Sequence, residues 1–222
     1  MAQAKFIVIE GVDGSGKGTQ VELLRALYES QGKKVGMLDF PRYKEQSGFM
    51  VSKYLNGEYG SLAEIGPELG SMFYAIDRFD AKKEALHLLA TCDIVIANRY
   101  VSSNMIHQAT KMDSYEKIDA YLSWIYHLEF SVFGIPKPDL VIYLKISPTT
   151  SHRLIAQKAQ REYIQGGKNI DLHEGSSQHI KWAIQIAEYV AAQYTNWNVI
   201  ECEQDGEMLP REVITAQIAA CI

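Results

Sequence analysis

The stretch EGVDGSGKGTQ, residues 10–20, decides how the rest of the chain is read. Gly11, Gly16 and Lys17 meet the pattern G-x-x-x-x-G-K, a loop whose backbone N–H groups converge on phosphate oxygens. The flanks are those the mechanism needs. KFIVIE (5–10) reads as a buried strand, and Val21, Leu24, Leu27 and Tyr28 recur at helical spacing until Gly32 stops the helix. A helix N-terminus adds partial positive charge beside the phosphates, and Lys17 adds a full one. Gly11, Asp13, Gly14, Ser15, Gly16, Lys17, Gly18 and Thr19 are therefore the candidate cradle for ATP.

The usual pattern continues with Ser or Thr, whose hydroxyl binds Mg²⁺. Here Gly18 takes that place and Thr19 comes one step late. The other protein contact normally comes from an acid at the end of a second buried strand. The best candidate, DIVIAN (93–98), ends in the neutral Asn98. Asp13 is the nearest carboxylate by sequence. Mg²⁺ accommodates such a site because it keeps several waters and takes one or two protein carboxylates plus phosphates.

Outward from the loop, four more apolar runs read as strands: KVGMLDF (34–40), CDIVIAN (92–98), DLVIYLKI (139–146) and WNVIEC (197–202). Their near-continuous Val, Ile and Leu content fits strands covered on both faces. Helical periodicity runs over about 66–90, 115–132, 148–163, 178–194 and 210–221, with Ser147-Pro148 as a cap and first turn. Strand and helix alternate, which predicts an α/β fold with a parallel sheet between helical layers. At 222 residues the chain suits one domain, spanning 1–222. A net charge of -5 argues against general nucleic-acid binding. No run approaches the roughly 20 apolar residues of a membrane helix. Three scattered cysteines argue against a disulfide framework, and a cytoplasmic protein is expected.

Several blocks carry a resemblance. GKGTQ is similar to the loop of nucleoside monophosphate kinases. FIVIEGVDGSGKGTQ, DFPRY (39–43), FYAIDR (73–78), NRYVSSN (98–104), IPKPDLVIYL (135–144) and DLHE (171–174), in that order and spacing, together resemble the thymidylate kinase family. The resemblance spans about residues 4–195. It implies a P-loop NTPase-type fold with a five-stranded parallel sheet in the order 2-3-1-4-5 and a mobile lid over about 147–178. It implies Mg²⁺-dependent transfer of phosphate from ATP to dTMP, and a homodimer. It also assigns roles by matching position. Asp13 approaches the acceptor sugar and the metal, Arg42 the acceptor phosphate, and Arg99 both phosphates. Tyr74 lies against the base, Arg78 reaches it, and Asn104 and Gln108 line the base and sugar pocket. Asp171 and Glu174 match a D-x-x-E after the lid, with Glu174 as a second metal candidate beside Asp13.

The chemistry fits these residue types without the family. Tyr74 offers a ring for stacking, Asn104 and Gln108 offer donors and acceptors for a base edge, and arginines grip phosphate in a planar fork. Arg153, Lys158, Arg161 and Lys168 lie in or beside the expected lid. Lys158 and Arg161 share a helix face. Some family members carry an arginine in the loop where Gly14 stands here. The lid is therefore expected to supply that charge through Arg153, Lys158 and Arg161, which join Lys17 and Arg99 as candidate catalytic residues. Two positions depart from the family: Asn98 replaces its usual Asp, and His107 stands where an aromatic residue limits access near the sugar 2′ position. Two competing functions are a kinase of deoxynucleosides or other monophosphates, and a nucleotide-binding regulator impaired in catalysis.

Overall fold

A computed structural model describes the chain over residues 4–61, 64–164 and 177–222, without the side chains of 158–164 and 177. The five apolar runs form one parallel sheet: β1 (Lys5–Gly11), β2 (Val35–Asp39), β3 (Ile94–Asn98), β4 (Leu140–Lys145) and β5 (Trp197–Glu201). The strand order is β2-β3-β1-β4-β5, as expected. Both faces are covered, so Phe6 to Ile9 of β1 and Val141 to Leu144 of β4 are almost fully buried. That burial explains why these strands do not alternate polar with apolar.

The helices are α1 (Lys17–Ser30), α2 (Gln46–Leu55), α3 (Pro67–Asp80), α4 (Lys82–Thr91), α5 (Val101–His107), α6 (Tyr115–Tyr126), α7 (Pro148–Ile164), α8 (Ser177–Gln193) and α9 (Arg211–Ala219). Ser147 caps α7 by accepting from the Thr150 N–H. Two expected helices are interrupted. The run 66–90 is split at Ala81 into α3 and α4. The run 115–132 passes from α6 into a π-helical segment, His127–Val132, closed by Gly134 at φ 60°. Two helices, α2 and α5, and a small hairpin of β6 (Glu203–Gln204) with β7 (Glu207–Met208) lie outside the sequence expectation.

Two features of packing position the site. Gly48 in α2 passes so close to the preceding loop that a Cβ there would lie 2.0 Å from the Arg42 carbonyl oxygen. α1 is tied to α9, where Gln20 donates to the Arg211 carbonyl and accepts from Thr215. Gly11, Asp39, Asn98 and Lys145 all end strands at one edge of the sheet. In open α/β sheets, that carboxyl edge is where ligands bind. Among the described residues, no helix is long and apolar enough to cross a membrane.

Candidate active site

The phosphate loop joins β1 to α1. Gly16 takes φ 86°, a left-handed conformation that other L-residues adopt at a cost. α1 starts at Lys17, and its ladder closes first from the Gln20 N–H to the Gly16 carbonyl. The first-turn amides of Gly18 and Thr19 thus stay outside that ladder, as an anion site at a helix N-terminus requires. Lys17 is buried and donates to the carbonyls of Gly11 and Val12 at 2.7 and 2.9 Å. It also lies 3.8 Å from Asp13. From α7, Ser151 donates to the Asp13 carbonyl at 2.6 Å, so the first turn of the expected lid is fastened to the loop. Gly14 packs beneath the same helix, where a Cβ would meet the Ser151 carbonyl at 3.0 Å. The Ser15 hydroxyl is buried, and no hydrogen-bond partner is found for it.

Across the cleft, Arg99 follows β3 with φ 64°. This backbone conformation costs a non-glycine residue roughly 1–2 kcal/mol. It accompanies a guanidinium that bridges the loop and the sheet edge. Nη2 pairs with Asp13, while Nη1 lies 3.1 Å from His107 Nε2, 3.4 Å from the Ser103 hydroxyl and 3.5 Å from Glu10. Burial lowers the Arg99 pKa, but the Asp13 and Glu10 carboxylates outweigh it, and the net shift is upward. The side chain is therefore a permanent cation. His107 Nε2 faces a group that only donates, which makes it the acceptor and leaves the ring proton on Nδ1. Burial first, and then Arg99, holds the His107 pKa well below the usual imidazole value. The rings of His107 and His179 stack with centroids 6.0 Å apart.

Arg42 is fixed by three carboxylates. Its backbone N–H and Nε donate to Asp77 at 2.8 and 3.0 Å, Nη2 donates to Asp80 at 2.6 Å, and Nη1 lies 3.8 Å from Glu84. Burial lowers its pKa, but the carboxylates of Asp80 and Asp77 raise it overall. Arg78, four residues after Tyr74 on α3, is buried and makes a bidentate pair with Glu129, both bonds at 2.6 Å. Burial lowers its pKa, but its neighbours, Glu129 foremost, raise it, and the net shift is upward. Asn104 donates to the Ser71 carbonyl at 3.1 Å and approaches Glu129 at 3.5 Å. Gln108 is buried and accepts from the Tyr54 hydroxyl. Gly70 permits this approach, since a Cβ there would lie 2.6 Å from the Gln108 side-chain oxygen. Tyr74 is half-buried and meets the Tyr54 ring edge-on, with centroids 6.1 Å apart.

The structure thus brings Asp13, Lys17 and Arg99 together, and separately gathers Arg78 and Asn104 around Glu129. Arg153 points elsewhere: it pairs with Glu207 at 2.7 Å and donates to the Gly206 carbonyl on the β6–β7 hairpin. Lys158 and Arg161 are described only in backbone, and Lys168, Asp171 and Glu174 lie outside the described residues.

Sequence reasoning passed over Glu10, Asp39, Asp77 and Glu129. Glu10 is fully buried and accepts from the Gly11 N–H and from the hydroxyls of Ser102 and Ser103. Asp39 accepts from the Asn98 amide at 2.8 Å. A signal for Glu129 was present: it continues the apolar stripe of Ile118, Tyr121, Leu122 and Ile125, where a carboxylate demands a buried cation.

Comparison with known proteins points to one family. A family model described as thymidylate kinase matches residues 9–208. A thymidylate kinase of Mycobacterium tuberculosis (strain ATCC 25618 / H37Rv) is 35% identical over 158 residues, which cover 71% of this chain and 73% of that protein. A probable thymidylate kinase of Pyrococcus horikoshii is 32% identical over 152 residues, covering 68% and 69%. A solved thymidylate kinase structure from Candida albicans superposes with a TM-score of 0.72 over 99% of this chain and 91% of that one. Its 17% identity makes it a likeness of fold.

Proposed function

The chain belongs to the thymidylate kinase family, and from that premise we propose that it transfers the γ-phosphate of ATP to dTMP, giving ADP and dTDP. One observation carries the reading: the Asp13 carboxylate touches Arg99, from the acceptor side of the cleft, and lies 3.8 Å from Lys17, from the phosphate loop. Donor and acceptor cations therefore face each other across one shared anion. Transfer between phosphates needs two anionic groups held in line while positive charge stabilises their oxygens. The acceptor phosphate is itself the nucleophile and is ionised near neutral pH, so no strong base is called for.

In this scheme the ATP phosphates replace the carbonyls of Gly11 and Val12 as partners of Lys17. The dTMP phosphate takes up Arg99, with Arg42 behind it. Tyr74 stacks on the thymine, while Arg78, Asn104 and Gln108 address its polar edge and the sugar. His107, neutral and bonded to Arg99, stands near the 2′ position. Residues 147–178 act as the cover of a single catalytic domain, and Arg153, Lys158 and Arg161 are its cations. Arg153 exchanges Glu207 for phosphate when the cover closes, which expels water.

Mg²⁺ is the expected companion of ATP, where it neutralises charge on the transferring group. The residues present suit such a hard cation. Among the described residues no three carboxylate, histidine or cysteine side chains cluster to hold a metal. Ser15 Oγ and Asn98 Oδ1 are nevertheless buried oxygens with no hydrogen-bond partner found. Asp13 and Asn98 would hold a largely hydrated ion, together with the phosphates. Glu174 remains a further candidate.

The test is a panel of acceptors offered to purified enzyme with ATP and Mg²⁺. The expected result is fastest ADP formation with dTMP and none with thymidine. Turnover of thymidine but not dTMP would make the protein a nucleoside kinase. ATP binding without transfer to any acceptor would make it a regulator.

We also propose a homodimer through α3 and α4. Leu69, Ile76 and Phe79 lie along one face of α3, Leu86 follows on α4, and all four are exposed. Such a stripe suits an isologous contact. Sedimentation should give twice the 25.0 kDa chain mass; a monomer at assay concentration would rule the contact out. The free thiols Cys92, Cys202 and Cys221 suit a reducing, cytoplasmic setting, which cell fractionation checks.

A further inference from the structure

Asp39 and Asn98 end neighbouring strands, β2 and β3, and stand in register. The Asn98 amide nitrogen donates to Asp39 Oδ1 at 2.8 Å. A carboxylate only accepts, so this bond settles the amide orientation: NH₂ toward Asp39, and Oδ1 away from it. Asn98 Oδ1 is buried, with no hydrogen-bond partner found. A buried acceptor in that state needs a donor or a cation. Asp39 is exposed at the cleft edge, and among the described residues no cation pairs with it. A plain surface hydrogen bond would account for Asp39. It would leave Asn98 Oδ1 unexplained.

We propose that Asp39 and Asn98 form one split metal-binding element, in which Asn98 presents a neutral oxygen and Asp39 supplies the charge for the Mg²⁺ that accompanies ATP. The acid normally found at the end of the strand beside the phosphate-loop strand has in effect moved one strand outward, from β3 to β2. Adjacent strands lie about 4.8 Å apart. From that distance Asp39 acts through metal-bound water, which Mg²⁺ retains readily. The Asn98 amide is the rigid link that keeps the carboxylate pointed along the sheet edge. This inference rests on the phosphoryl-transfer reading given above.

The test separates charge from shape. Asp39→Asn keeps the oxygen that accepts from Asn98 and removes only the charge. Asp39→Asn combined with Asn98→Asp returns the charge to the neighbouring strand. Two readouts are taken on the full chain with ADP bound or ATP present: Mn²⁺ affinity by electron paramagnetic resonance, and the Mg²⁺ concentration giving half-maximal turnover. Asp39→Asn should weaken Mn²⁺ and raise the Mg²⁺ requirement by about tenfold, the low end of what an outer partner of a metal contributes. The double variant should recover both. Unchanged Mn²⁺ affinity in Asp39→Asn overturns the proposal, as does a loss that the double variant does not restore. If the unaltered protein transfers no phosphate to any acceptor, the functional reading fails instead. The Mn²⁺ titration still judges the metal element by itself.

Discussion

Lys17→Ala removes phosphoryl transfer almost completely. The expected fall in turnover is at least about 10²–10³-fold, the scale set by deleting one preorganised group that stabilises transition-state charge. The figure is a lower bound because Lys17 is a full cation in a buried setting. The fold should survive. Lys17 gives up bonds to the Gly11 and Val12 carbonyls, but these lie in a loop that water enters once the side chain is gone. The other loop contacts remain, with Ser151 holding Asp13 and the Ser15 N–H bonded to the Val12 carbonyl. Steady-state kinetics beside a melting curve checks both halves. A variant that keeps more than a tenth of wild-type turnover would show that another cation serves the transferred phosphate, and the lid arginines would be the first to examine.

The case of Lys17 shows what a linear sequence discloses. The cradle is local: Gly11, Gly16, Lys17 and their flanking strand and helix occupy one continuous stretch, so spacing alone conveys geometry. The buried strands were legible for the same reason. KFIVIE and DLVIYLKI match β1 and β4 closely, since strands covered on both faces must be apolar throughout. The break at Ala81 left no trace, because no glycine or proline marks it and the apolar spacing continues through it. The β6–β7 hairpin had a signal that length concealed. Asp205 and Gly206 take φ 53° and 80°, the Asp-Gly turn of a tight hairpin, but its strands are two residues each.

The polar partners were least legible. Asp77 locks Arg42 from 35 residues away, and Glu10 receives Ser102 and Ser103 from more than 90. Nothing in local spacing links such pairs, since the sheet order brings them together. Arg153 illustrates the same limit from the other side. Its place on the lid helix was clear, while its partner Glu207 belongs to the unforeseen hairpin. The arginines and Asp13 could be named from sequence, then, but Asp77 and Glu207, which hold Arg42 and Arg153 in place, required the fold.

Glu129 is where that difference has the greatest consequence for stability. Glu129→Gln keeps the side-chain volume and takes away one charge, leaving the buried Arg78 guanidinium uncompensated. Breaking a buried ion pair from one side costs about 3–5 kcal/mol. Glutamine still offers one oxygen, so about 3 kcal/mol is expected. For a chain of this size that corresponds to a fall in melting temperature of roughly 6–12 °C. Replacing both members, as Arg78→Met with Glu129→Leu, should cost much less, because an apolar pair needs no desolvated charge. Kinetics distinguishes a purely structural role from one in the acceptor pocket. Arg78 and Asn104 both meet Glu129, whereas Lys17 and the phosphate loop do not. Glu129→Gln should therefore raise KM for dTMP while leaving KM for ATP near its original value. If the melting temperature and both KM values stay unchanged, the Arg78–Glu129 pair neither supports the fold nor shapes the acceptor side. If the two KM values rise together, the damage is global, and Arg78 has no particular part in holding dTMP.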